Sequence, residues 1–157
     1  MTTTTVLSFT FEEVGKRVKS ALNDFREQDL QLLELCVDER AATHRIACYL
    51  QNYFPDWHVD CEYNRKGRNQ KTLEGELVIP DIIIHRREKE NLLCIEAKKD
   101  GISLKDDRNK LCGFTKTDGE FGYQFGLLII LSLDKPFDIN LEWYKNGRQL
   151  HDYADSR

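Results

Sequence analysis

Three residues near the middle of the sequence have types and spacing that could do chemistry: Asp81, Glu96 and Lys98. Asp81 lies in the aliphatic run Leu77 to Ile84, where an ionised carboxylate is costly unless a cation or hydrogen bonds compensate it. Glu96 and Lys98 are two apart in a second apolar run, so on a strand they share a face. Converging carboxylates repel each other unless a divalent cation lies between them. These residue types favour metal-assisted hydrolysis, with the lysine activating water or stabilising negative charge.

Two aliphatic runs must position these residues. Leu77 to His85 and Leu92 to Ala97 are both typical of strands, and the short charged connection between them predicts a central hairpin. Pro80 lacks an N–H, so it bends the first strand or confines it to an edge. A hairpin would bring Glu96 beside Asp81, as a shared cation requires.

The rest of the chain predicts helices around this hairpin. Apolar residues recur at helical spacing from Phe11 to about Leu35, and a second helix is predicted from an N-cap at Asp38 to about Phe54. The later predicted elements are a half-buried strand at Trp57 to Tyr63, a loop at Asn64 to Glu76, a helix at Ser103 to Thr115, a buried strand at Phe125 to Leu133 and a terminal hairpin turning at Asn146-Gly147. We therefore expect an α/β fold with a mixed central sheet flanked by helices, in a single domain over 1–157.

At the candidate residues the sequence resembles the PD-(D/E)xK nuclease superfamily, whose fold is restriction-endonuclease-like. Pro80-Asp81 matches the PD and Glu96-Ala97-Lys98 the (D/E)xK, with fourteen residues between the two carboxylates. The resemblance implies an αβββαβ core, here about 38–133, with the helix or helices before it as additions. It also implies that Asp81, Glu96, the Ala97 carbonyl and Glu39 bind the metal, and that Lys98 orients the attacking water.

The resemblance implies an endonuclease that hydrolyses DNA phosphodiester bonds with Mg²⁺, for which Mn²⁺ should substitute. Two other functions stay open. One is a nuclease-fold module that no longer cleaves and binds nucleic acid or a protein partner. The other is an assembly subunit whose carboxylates are structural. RNA remains an alternative substrate, and the sequence does not distinguish a monomer from a homodimer or a larger complex.

Charge is distributed unevenly around the candidate site. The net charge is −4, but residues 63–110 carry 12 bases against 9 acids, whereas residues 1–62 carry 6 against 11. Four of these bases, none with an acid between them, lie in the predicted loop before the hairpin: Arg65, Lys66, Arg68 and Lys71. The loop is interpreted either as a surface that contacts phosphates or as an ordinary solvated loop.

Several of these residues have simpler readings. Asp81 could form an ion pair with Lys98 without any metal. Glu39 could serve only the dipole of its helix. The chain also contains a second PD, Pro55-Asp56, which closes the predicted second helix and is better explained as a turn.

Composition favours a reducing compartment and a protein without membrane association. The five cysteines are odd in number and widely spaced, without the CxxC or HExxH spacing of a zinc site. The N-terminal residues lack a basic segment followed by an apolar one, and no run could span a bilayer. We therefore expect a cytoplasmic protein with no membrane partner.

Overall fold

The computed structural model describes residues 9–35, 39–62, 65–66, 69–70, 72–73, 76–86, 90–132 and 137–151, with only the backbone described between 65 and 77. Its helices are α1 (Phe11–Glu34), α2 (Glu39–Tyr53) and α3 (Lys105–Thr115). Asp29 has non-helical backbone angles and kinks α1 near its end. No helix within these ranges is both long and apolar enough to cross a membrane.

Ten strands are described. They are β1 (His58–Cys61), β2 (Arg65–Lys66), β3 (Asn69–Gln70), β4 (Thr72–Leu73), β5 (Glu76–Leu77), β6 (Ile82–Arg86), β7 (Glu90–Lys99), β8 (Phe125–Ser132), β9 (Asp138–Lys145) and β10 (Arg148–Leu150). Six of them form one mixed sheet in the order β1-β6-β7-β8-β9-β10, in which only β7 and β8 are parallel. The remaining four form two small hairpins between β1 and β6. The predicted α/β class with a mixed sheet is confirmed.

The sheet separates two hydrophobic clusters. Helices α1 and α2 cover one face, where the odd-numbered residues of β7, such as Ile95 and Ala97, join the larger cluster. Helix α3 covers the other face, where Cys94 packs with Leu111 and Phe114. Because side chains alternate along a strand, Glu96 and Lys98 belong to the α3 face.

Gly126 on β8 sets how closely α3 approaches the sheet. A Cβ at this position would lie 3.0 Å from Thr115 Cγ2, 3.3 Å from Leu111 Cδ2 and 3.2 Å from Tyr144 Cβ. These distances leave no room for a methyl group unless the neighbours move. The helix and the sheet are therefore in direct contact here.

The structure corrects the predicted strand from Leu77 to His85. Leu77 pairs with β4, the strand of the large sheet starts only at Ile82, and Pro80 and Asp81 lie between the two. Proline interrupts the strand because it cannot donate to the ladder. The loop predicted over 64–76 is also corrected in part, since it contains β2, β3 and β4 and the start of β5.

The predicted N-cap of the second helix and the predicted terminal hairpin have different outcomes. The predicted N-cap at Asp38 lies outside the described residues. The terminal hairpin is confirmed, because β9 and β10 turn at Asn146 and Gly147, with φ of 52° and 78°. Positive φ at both central residues is what a type I′ turn requires, and asparagine followed by glycine tolerates it best.

Candidate active site

Asp81 lies where the β6–β7 ladder stops. The last pair of the ladder at this end is Ile82 with Ile95, so the residue opposite Ala97 would be Pro80. The Asp81 side chain takes the place of a strand partner there, since the Ala97 N–H donates to Asp81 Oδ2 at 2.8 Å. The Asp81 carbonyl in turn accepts a hydrogen bond of 3.0 Å from the Glu62 N–H, just after β1. The break in the strand thus places the Asp81 carboxylate against Ala97, the middle residue of Glu96-Ala97-Lys98.

Glu96 is the buried member of the pair. The residue is 1% exposed, and among the described residues its Oε1 atom has no hydrogen-bond partner. Burying a carboxylate oxygen without a partner is costly, so such an atom in a native structure requires an explanation. A cation is one partner that would satisfy it.

The two carboxyls act on each other. Burial raises the pKa of Glu96 well above its usual range, and the charge of Asp81 raises it further. The pKa of Asp81 is also raised overall, because burial outweighs the hydrogen bonds from Ala97 and from the Glu96 carboxyl, which lower it. In the absence of a cation the pair therefore holds a proton more strongly than two separate carboxyls would.

Lys98 is held by Glu39 rather than by Asp81 within the described part of the chain. Its ammonium lies 3.4 Å from Glu39 Oε1, and the Lys99 N–H donates to Glu39 Oε2 at 3.3 Å. Burial lowers the pKa of Lys98, but the charges of Glu39, Asp81 and Asp107 outweigh burial and the pKa is raised overall. Glu39, at the start of α2, thereby fixes a charged lysine at the end of β7.

Asp107 is a charged residue of this region that the sequence reasoning missed. It lies in the first turn of α3, is 5% exposed, and is 3.7 Å from the ammonium of Lys110. The charges of both residues act on Glu96, Lys110 lowering its pKa and Asp107 raising it. A signal was present, because Asp107 is four residues before Leu111 and seven before Phe114 and so lies on the buried stripe of the helix.

The structure brings together some of the predicted site residues. Asp81 and Glu96 meet, and the Ala97 carbonyl lies on the Asp81 side of β7, because a strand residue directs its N–H and C=O to the same neighbour. Over the described ranges, however, no three or more His, Cys, Asp or Glu side chains are grouped closely enough to hold a metal ion. The role of Glu39 as a further ligand stays a prediction.

The remaining residues singled out from the sequence are the four bases before the hairpin and the second PD. Arg65 and Lys66 form β2 and are described as backbone only, while Arg68 and Lys71 lie outside the described residues, so the predicted phosphate contacts stay a prediction. Asp56 of the second PD is exposed in the turn that follows α2, as predicted.

Comparison with known proteins leaves the family open. No protein-family model matches the chain, and no curated protein sequence matches it either.

Proposed function

We propose that the chain is a Mg²⁺-dependent endonuclease that hydrolyses phosphodiester bonds of DNA, with Asp81, Glu96 and Lys98 as its catalytic residues. The observation that carries the proposal is the buried Glu96 Oε1 without a described partner, beside a second carboxylate and on the same strand face as a lysine. A charge cluster serving stability alone would satisfy that atom.

The donor atoms fit a hard divalent cation. One oxygen of Asp81 is used by the Ala97 N–H, which leaves the other oxygen, Glu96 Oε1 and the Ala97 carbonyl as oxygen donors. Mg²⁺ commonly binds one or two carboxylates and keeps several waters, so a site without a third acidic group is compatible with it. When bound, Mg²⁺ would supply Lewis acidity toward the phosphate and lower the pKa of a bound water.

The protein groups have separate tasks in this proposal. Asp81 and Glu96 hold the cation, and the backbone around Pro80 and Ala97 keeps their spacing. The Lys98 ammonium orients the attacking water and stabilises negative charge that develops on the phosphate. Glu39 limits the positions available to Lys98, because it binds both the lysine ammonium and the following N–H. The order α2, β1, β6, β7, α3, β8 supports the proposal, since it is the order that the nuclease resemblance implies.

The test is cleavage of circular and linear DNA with and without Mg²⁺. Asp81→Ala, Glu96→Ala and Lys98→Ala should each lower the rate at least about 100-fold, because each removes a metal ligand or the group that positions water. Two matched controls should stay near the wild-type rate: Asp56→Ala in the second PD, and Lys99→Ala on the opposite face of β7. Undiminished cleavage by Lys98→Ala, or full cleavage in EDTA, would contradict the proposal.

Metal choice gives a second test, because the donor atoms are all oxygens. Mn²⁺ should support cleavage, whereas Ca²⁺ should support binding with little cleavage, since it prefers longer distances and looser geometry. A gel shift in Ca²⁺ followed by product on adding excess Mg²⁺ is the expected result. Metal-dependent binding without cleavage under any condition would instead favour a non-cleaving nucleic-acid-binding module. RNA of the same sequence should be tested in parallel.

A further inference from the structure

Large apolar side chains are exposed at both borders of the candidate active site. Across the described residues, three such side chains are exposed: Leu35 at 75%, Ile79 at 41% and Ile102 at 56%. Ile79 is two residues before Asp81 and Ile102 is four residues after Lys98; we call these two the rim isoleucines. One exposed isoleucine is ordinary on a protein surface. Two on the segments that enter and leave one charged site require an account of what covers them.

The rim isoleucines lie at the same end of the sheet. Asp81 is hydrogen-bonded to Ala97, so the segment that contains Ile79 lies beside the end of β7. Beyond β7, the Asp100 N–H still donates to the Leu131 carbonyl at 2.9 Å, and Gly101, with φ of +88°, then turns the chain toward α3. Ile102 follows this turn directly. Apolar surface therefore borders the site on two segments separated in sequence.

The chemistry of isoleucine restricts what can cover it. A phosphate offers it only charge and hydrogen bonds, and the major groove of DNA offers only the small thymine methyl, whereas the face of a nucleobase is a large apolar surface. In an intact duplex that face is stacked and hidden, and proteins reach it by inserting apolar side chains between base steps. Unstacking a base costs least where it is mismatched, damaged or already single-stranded. A protein partner seated on both segments would cover the approach to Asp81 and Lys98, so we favour nucleic acid as the occupant.

Resting on the proposed nuclease activity, we propose that the rim isoleucines pack against unstacked bases beside the scissile phosphate. The preferred substrate is then DNA with unpaired bases next to the cut, such as a fork, a flap or a mismatch, rather than uninterrupted duplex.

The first experiment reads unstacking without cleavage. Forked and fully paired duplexes carry the fluorescent base 2-aminopurine at the fork position and are bound in Ca²⁺. The wild-type protein should raise the fluorescence of the forked DNA, because the probe brightens when it leaves the stack. Ile79→Ser with Ile102→Ser should lose this rise while still binding. Leu35→Ser, at the end of α1, is the matched control and should keep it.

The second experiment measures single-turnover cleavage in Mg²⁺. The wild-type protein should cut forked DNA about tenfold faster than paired DNA, because unpaired bases are already available to the isoleucines. The double variant should cut the two within about twofold of each other, and Leu35→Ser should keep the preference. Melting temperatures of all variants check that the fold is intact.

The outcomes separate the two proposals. Failure to cut any nucleic acid would overturn the nuclease activity, and the fluorescence assay would still test the isoleucines. Cleavage without a fork preference, or a preference and fluorescence rise that survive in the double variant, would overturn the proposal that the rim isoleucines pack against unstacked bases. An equal loss in Leu35→Ser would also overturn it. The proposal would also be overturned if the double variant kept the fluorescence rise but lost self-association. The isoleucines would then form a contact between protein chains.

Discussion

The two faces of the central sheet bury different kinds of group. On the face covered by α1 and α2, the core is apolar and the polar groups at the helix contact are paired. Tyr49 donates to Asp29 Oδ2 at 2.5 Å, and Tyr53 donates to Asp24 Oδ2 at 2.6 Å. On the face covered by α3, the buried groups include Glu96, whose Oε1 has no described partner, and Asp107.

This difference suggests a division of tasks within one sheet. The α1 and α2 face supplies most of the apolar burial and should dominate the free energy of unfolding. The α3 face keeps carboxylates out of water, which costs stability unless a cation binds. Variants on the two faces should therefore change stability in opposite directions.

The largest expected effect is a cavity on the α1 and α2 face. Ile46→Ala should lower the free energy of unfolding by about 2–5 kcal/mol, because Ile46 is completely buried in the larger hydrophobic cluster. Ile46→Val, the graded control, should cost about 0.5–1.5 kcal/mol. Urea denaturation measures both. Equal losses in the two variants would mean that cavity volume does not govern this face.

The next effect has the opposite sign. Glu96→Gln should raise the free energy of unfolding by about 1–2 kcal/mol near neutral pH in EDTA, because an amide can donate to Asp81 without the proton that the buried glutamate must hold above its usual pKa. For a protein of this size each kcal/mol corresponds to about 2–4 °C in Tm. Added Mg²⁺ should stabilise the wild-type protein and leave the variant nearly unchanged.

The same variant tests pH dependence. Because the pKa of Glu96 is raised in the folded state, its contribution to stability is fully present below the usual glutamate pKa and is lost as pH rises through the folded value. The wild-type protein should therefore lose stability over that window relative to Glu96→Gln, in metal-free thermal scans. Parallel pH curves for the two proteins would rule out a shared proton in the pair.

A smaller effect is expected from α3. Asp107→Asn removes a buried negative charge near Glu96 and should weaken Mg²⁺ affinity about fivefold, equivalent to about 1 kcal/mol. Asp106→Asn is the matched control, since Asp106 is exposed in the same helical turn. Calorimetric titration with Mg²⁺ compares them. Equal Mg²⁺ affinities in both variants would mean that the charge of Asp107 on α3 does not influence metal binding at the site.

The smallest effect is expected at Glu39. Glu39→Gln should change stability by less than about 1 kcal/mol, because its ion pair with Lys98 is partly exposed. Mg²⁺ affinity should fall less than about threefold, a change of under ~1 kcal/mol, since Lys98 and Lys99 already occupy both carboxylate oxygens. The pKa of Lys98 should fall, which NMR titration of the ammonium can detect. A loss of metal affinity of tenfold or more would instead make Glu39 a ligand.

The sequence predicted the parts of the fold that local residue patterns determine. The apolar run at Phe125 forms a strand that is buried from Phe125 to Leu131, and the Asn146-Gly147 turn forms its hairpin. The break before β6 was harder to locate, because Val78 and Ile79 have the same strand preference as Ile82 although Pro80 ends the ladder between them. Local propensity does not show on which side of a proline the strand continues.

The candidate site was predictable in part for a similar reason. Spacing along β7 is local, so Glu96 and Lys98 could be assigned to one face from the sequence, and the structure agrees. The partner of Lys98 depends on where α2 docks, which is a non-local property, and Lys98 pairs with Glu39 instead of forming the ion pair with Asp81 that was the alternative to a metal site. Asp107 was missed although it lies on the buried stripe of α3 with Leu111 and Phe114.

Gly126 gives the chain a way to adjust its chemistry without changing any charged residue. A methyl group there would press on Thr115 and Leu111 at 3.0 and 3.3 Å, so α3 would have to shift outward by a few tenths of an ångström. Asp107 and Lys110 travel with that helix, whereas Glu96 stays with the sheet. Substitutions at one small, uncharged position would therefore alter the distances between charges in graded steps. Divergence among descendants of this chain could proceed through such spacer positions while the acidic and basic residues remain the same.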